Sequence, residues 1–213
     1  MAEDPHAMTA TSTLTRKASP KTGDSVVTPE RFATGMTAFS DWMGLIEKNS
    51  ELFQRHYDEF NLTPHDVEAL KKYVEEHGVK ALVLGTDWCP DVWRGLPVAC
   101  RLAEASGMEL RIFERDANSD IMAEFLKDGE FESVPTIVLY DRDNNYLGHW
   151  IERADQANAE MGGLRKIMEG KERDTPEWTK AREEYMAETW YLAEGWRQAQ
   201  VKELLALLEE ALG

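Results

Sequence analysis

Only two of the 213 residues are cysteines, Cys89 and Cys100. That is too few for the disulfide framework of a small secreted domain, and a chain of this length can bury a core without staples. Basic side chains are also scarce, 24 against 40 acidic ones for a net charge of −16. The chain therefore lacks the positive footprint that nucleic acid or an anionic membrane surface requires. No apolar run approaches the ~18 residues of a spanning helix. Residues 1–28 hold no apolar stretch of a signal peptide and are rich in Thr, Ser, Pro, Lys and Asp, so they read as a disordered tail. Few cysteines and no export signal together point to the reducing cytoplasm. The histidines (His6, His56, His65, His77, His149) fall in separate segments, and no Cys or His spacing fits a metal site. Gly162-Gly163 follows no strand and lacks the Gly-Lys-Ser/Thr ending of a phosphate loop. Neither metal nor cofactor is expected.

What is present is an alternation of helix and strand patterns. Three Thr-Pro pairs, at Thr28, Thr63 and Thr175, each place an N-cap hydroxyl before a proline at the first helical position. After the first, apolar residues from Phe32 to Phe60 recur at three-to-four spacing and predict one or two helices. The second opens a helix over 64–77. Then follow a strand (79–85), a helix (90–106), a strand (109–115), a helix (119–128), a strand from Pro135 through Tyr140, a turn over 141–145, a strand (146–151) and a helix (155–169). The third opens two further helices broken near Gly195. The aromatic face Trp178, Tyr185, Trp190 and Trp196 most simply packs on the central unit; the other reading makes it a homodimer or partner surface.

One stretch carries chemistry. Thr86-Asp87-Trp88-Cys89-Pro90-Asp91-Val92 joins the apolar run 81–85 to the helix. A cysteine at such a junction meets free backbone N–H groups and the positive end of a helix, which favour a thiolate. Asp91 opposes this, since a carboxylate two residues away raises a thiol pKa. Trp-Cys-Pro-Asp, Pro97 eight residues after Cys89, and Val134-Pro135-Thr136 leading into a strand together resemble the thioredoxin family over residues 64–170. The resemblance implies an α/β thioredoxin-like fold, αβαβαββα with a mixed four-stranded sheet, spanning 63–170. A helical extension (29–62) and another (171–213) would flank it. It further implies a catalytic Cys89 within the motif Trp88, Pro90 and Asp91, a cis Pro135, and substrate docking along Val134, Pro135 and Thr136.

Two departures from the family pattern matter. The second cysteine of a dithiol site would stand at position 92, which is valine, and the family's buried aspartate six residues before the nucleophile is replaced by Val83. Cys100 cannot substitute: eleven helical residues are ~16 Å of rise, and a disulfide needs Cα atoms within ~7 Å. The leading expectation is thiol–disulfide exchange through Cys89 alone, resolved by an external thiol. Its partners would be a disulfide-containing protein or a low-molecular-weight thiol. The competing expectation is a redox-inert adaptor that binds a protein segment. Peroxidase and glutathione-transferase readings are weaker, because position 82 is leucine rather than proline and residues 175–213 are too few for an all-helical domain.

Overall fold

A computed structural model describes residues 25–213; the tail expected over 1–28 falls outside them except for its last four residues. Those four are tied down. Val27 is buried, and the Ser25 hydroxyl donates to the Glu124 carboxylate.

The elements are α1 (Pro29–Ala33), α2 (Phe39–Leu45), α3 (Ser50–Glu59), α4 (Pro64–His77), β1 (Lys80–Gly85), α5 (Pro90–Ser106), β2 (Glu109–Glu114), a 3-10 turn (Asp116–Asn118), α6 (Ser119–Met122), β3 (Thr136–Tyr140), β4 (Tyr146–Ile151), α7 (Asp155–Met168) and α8 (Pro176–Leu212). All three Thr-Pro caps form, each threonine hydroxyl accepting from the amide three residues on. The sheet order is β2-β1-β3-β4, with β1 and β2 parallel and β3 antiparallel to both β1 and β4. This is the mixed four-stranded sheet of a thioredoxin-like α/β fold. Every residue of β3 is buried, as expected for a central strand covered on both faces.

Three boundaries differ from expectation. The 29–60 region forms three short helices. Its chain turns extended at Met36, which exchanges backbone hydrogen bonds with Ile112 at the open edge of β2. Asn49, in the left-handed region, then separates α2 from α3. The helix expected over 119–128 stops at Met122. Asp128 and Gly129 both take positive φ, and Lys127 pairs with Phe131 across a tight turn. At the C-terminus α8 runs unbroken through Gly195. A Cβ there would stand 3.2 Å from the Gln156 amide nitrogen, so the glycine serves close approach to α7 and not a break.

The core lies between the sheet and α5, and both terminal regions complete it. Trp42, Phe53 and Phe60 enter from the N-terminal helices; Val201, Leu204, Leu207 and Leu208 enter from α8. Three of the four residues of the aromatic face of α8 make contacts within their own chain. Trp196 is buried with its indole N–H on Glu160, Tyr185 reaches Met161, and Trp190 stacks on His56 with its N–H on Glu59.

Candidate functional site

Cys89 is the N-cap of α5. The chain leaves β1, turns through Thr86 and Asp87, and enters the helix at Pro90. The loop is held from below. The Asp87 carboxylate accepts the amides of Glu47 and Lys48, and its carbonyl accepts the Asn49 side chain and the Trp93 indole N–H. Thus the first helical region anchors the cysteine loop. Asp87 is used structurally and does not stand in for the missing acid at Val83, which is fully buried in β1.

The Val134–Pro135 peptide bond is cis. It brings the Val134 carbonyl to 3.6 Å from Cys89 Sγ, which donates to it. Pro135 packs against Gly95 of α5, where an added Cβ would meet Pro135 Cγ at 2.8 Å and Gln200 Oε1 at 3.3 Å. Gly95→Ala is therefore expected to displace the proline loop from α5 and to cost about 1–3 kcal/mol of stability; a thermal melt together with Cys89 alkylation kinetics would register both. Of the residues expected along the docking strip, Val134 and Pro135 border the sulfur. Thr136 is buried, its hydroxyl closing the loop on the Ser133 carbonyl. Trp88 is half exposed, with the Arg115 guanidinium over its ring at 5.2 Å.

The helix start does not make an easy thiolate. Burial pushes the Cys89 thiol up, and the Asp91 charge pushes it further. The amides of Val92 and Asp91 and the charge of Arg94 pull the other way without prevailing. Burial joins the opposition expected from Asp91 and outweighs the helix start: a half-buried sulfur loses more solvation than two amides return. Asp91 is itself buried. Burial alone would raise its carboxyl, but Arg153 and Arg94, both paired with it, hold it below the usual carboxylate range. Arg153 also pairs with Glu152, and Glu152 with Lys127. Charges of alternating sign therefore run from α5 to the end of β4 beside the cis-proline, whose carbonyl accepts the Glu152 amide at 2.7 Å. Of the contacts to Asp91, only that of Arg94, three residues along one helix, could be read from sequence; Arg153 comes from a distant segment.

Cys100 is buried on the core side of α5, its thiol pushed well above the ordinary range by burial, and both cysteines are free. His149 is buried on β4, sharing a hydrogen bond with the Tyr146 hydroxyl, and His56 is buried against Arg197. Among the described residues no three His, Cys, Asp or Glu side chains are grouped to hold a metal ion, and no helix is long and apolar enough to cross a membrane.

The family model described as Thioredoxin matches residues 36–171, more than half of the chain, taking in Cys89, the cis-proline and the whole sheet. The chain belongs to the thioredoxin family. The match begins at Met36, so the helices α2 and α3 fall within the family unit. The fold is similar to that of a Pseudomonas aeruginosa protein of unknown function solved at 1.5 Å, with TM-score 0.61 and 22% identity over 84% of this chain and 95% of that one. It is similar also to an HIV epitope scaffold, with TM-score 0.59 and 21% identity over 85% and 97% of the two chains. At these identities the likeness concerns fold alone. No curated protein matches the chain. Within this thioredoxin-family chain, position 92 offers a buried valine side chain where a second sulfur would be needed for internal resolution.

Proposed function

We propose that the protein carries out thiol–disulfide exchange through Cys89 as a lone nucleophile. One observation carries the reading: a half-buried sulfur at a helix N-cap lies 3.6 Å from the carbonyl that precedes a cis-proline. An incoming disulfide that displaces the Sγ–Val134 contact would meet the sulfur and that carbonyl at once. The Cys89 thiolate attacks one sulfur of the substrate disulfide, a new S–S bond forms, and the other sulfur leaves as a thiolate that takes up a proton. A second, external thiolate then attacks the mixed disulfide and displaces Cys89. The substrate would be a disulfide-bearing protein or its mixed disulfide with a low-molecular-weight thiol, and two free cysteines suit a reducing cytoplasm.

A second reading, a redox-inert adaptor, is favoured by the raised Cys89 pKa. Incubation with glutathione disulfide across pH 7–9.5 separates the two by mass spectrometry. Exchange predicts a glutathione adduct on Cys89 alone, forming faster as pH rises past the ~8.5 of a free thiol and released by added glutathione. No adduct even at the highest pH leaves the adaptor.

A further inference from the structure

Of the five large apolar side chains that stand exposed among the described residues, Trp88 lies in the Cys89 loop, and Leu45 and Phe131 lie in segments joined to it by hydrogen bonds and by Arg115; each of the three is about half exposed. They are tied to one another through the site. Leu45 lies two residues before Glu47, whose amide, with that of Lys48, donates to the Asp87 carboxylate next to Trp88. On the other side Arg115 lies over the Trp88 ring and donates to the Glu132 carbonyl at 3.2 Å, fixing the segment that follows Phe131. Phe131 itself closes the tight turn Lys127–Phe131, whose two left-handed residues lift it as a short finger.

At the finger end of this arc the unpaired charge is negative. Asp128, Glu130 and Glu132 are exposed on the finger, and none has an ion-pair partner among the described residues. The two cations close to it are already spent, Arg115 on Asp116 and Lys127 on Glu152. An exposed apolar strip with three unpaired carboxylates beside it fits a polypeptide carrying apolar side chains interleaved with lysine or arginine, and repels an acidic one.

We infer that the finger 127–132, with Trp88 and Leu45, selects a cationic, extended segment of a partner protein and holds it across Cys89. This deepens the exchange reading and rests on it for the role of the sulfur. The segment's apolar side chains seat on Leu45, Trp88 and Phe131, and its cations pair with Asp128, Glu130 and Glu132.

The test uses the full chain carrying Cys89→Ser, so that binding is read without chemistry. Two labelled peptides with the same apolar positions, one lysine-rich and one glutamate-rich, are titrated by fluorescence anisotropy. The lysine-rich peptide should bind about tenfold more tightly in dilute buffer, three exposed pairs each adding a few-fold at most. Most of that advantage should vanish at about 0.5 M salt. The combined variant D128N/E130Q/E132Q, all exposed positions, should bring the two peptides within about twofold. Phe131→Ser should weaken both peptides alike. Equal affinities, no binding of either peptide, or a preference that survives the triple variant would overturn the inference. Because the serine protein cannot exchange, any of these leaves the glutathione-adduct result untouched, and failure of that adduct leaves the peptide preference standing.

Discussion

Replacing Asp91 by asparagine is expected to make Cys89 react about three to ten times faster with iodoacetamide at pH 7. The carboxylate is the second cause of the raised thiol pKa, after burial. Its removal also leaves Arg94 and Arg153 with one anion fewer between them. With that charge gone the thiol pKa falls, and the thiolate fraction at pH 7 grows with it. Part of that is returned, because a less basic thiolate is a weaker nucleophile, with a Brønsted slope of about 0.4–0.5. The gain comes at the expense of the fold. Breaking a buried ion pair costs about 3–5 kcal/mol, less here because asparagine keeps one acceptor for an arginine. The signs with pH follow. Asp91 has a lowered folded pKa, so its contribution to stability is complete above ~4, the unfolded value, and is lost as pH falls through the folded one. Cys89 has a raised folded pKa, so above ~8.5 the unfolded chain ionises first and stability declines. Asp91→Asn should flatten the acid limb, and Cys89→Ser the alkaline one, of a plot of stability against pH. Arg153→Gln is the opposing control: with Asp91 less neutralised, Cys89 should react more slowly than in the native chain. Buried Cys100 reports integrity in every experiment, since it should label only on unfolding.

The elements with strong local signals were legible in the sequence. Thr63-Pro64 with Gly78, and Cys89-Pro90 with Gly107, bound α4 and α5 to the residue, because caps and stops are local chemistry. The cis bond at Pro135 was implied by the family resemblance of Val134-Pro135-Thr136, not by local chemistry. What could not be read depends on contacts between distant segments. Gly195 reads as a stop in sequence and is a point of close helix approach in space. Met36 becomes a strand-like bridge because β2 has an open edge to satisfy. At the site, Asp91 was visible as an opponent of the thiolate, yet its neutralisation by Arg153, 62 residues on, was not. Nor was the burial of Cys89, which outweighs the helix terminus that local reasoning favours.

The second large effect is expected from the other end of the chain. Ending it after Gln198 should abolish the cooperative fold at 25 °C, although residues 199–213 lie outside the family match, which ends at 171. The removed half-helix buries Val201, Leu204, Leu207 and Leu208 almost completely. At about 2 kcal/mol for each aliphatic side chain this is about 8 kcal/mol, comparable with the whole stability of a typical domain, about 5–15 kcal/mol. Polar losses add to it. Gln200 donates to the Gly95 carbonyl at 2.9 Å, beside the cis-proline. Glu203 accepts from the Trp150 indole N–H and from the Asp155 amide, supplying the N-terminal cap that α7 lacks in its own sequence. Without it both donors lose their partner, at about 1–3 kcal/mol for a buried one. The shortened chain should keep far-UV helix signal, lose near-UV aromatic signal and bind a hydrophobic dye. Leu207→Ala grades the same argument at about 2–5 kcal/mol, within reach of a urea titration. A truncated chain with a sharp native-like melt would mean that α8 decorates the fold; an unfolded one would mean that the last turns of the chain hold α5 and the cis-proline together, and with them the geometry around Cys89.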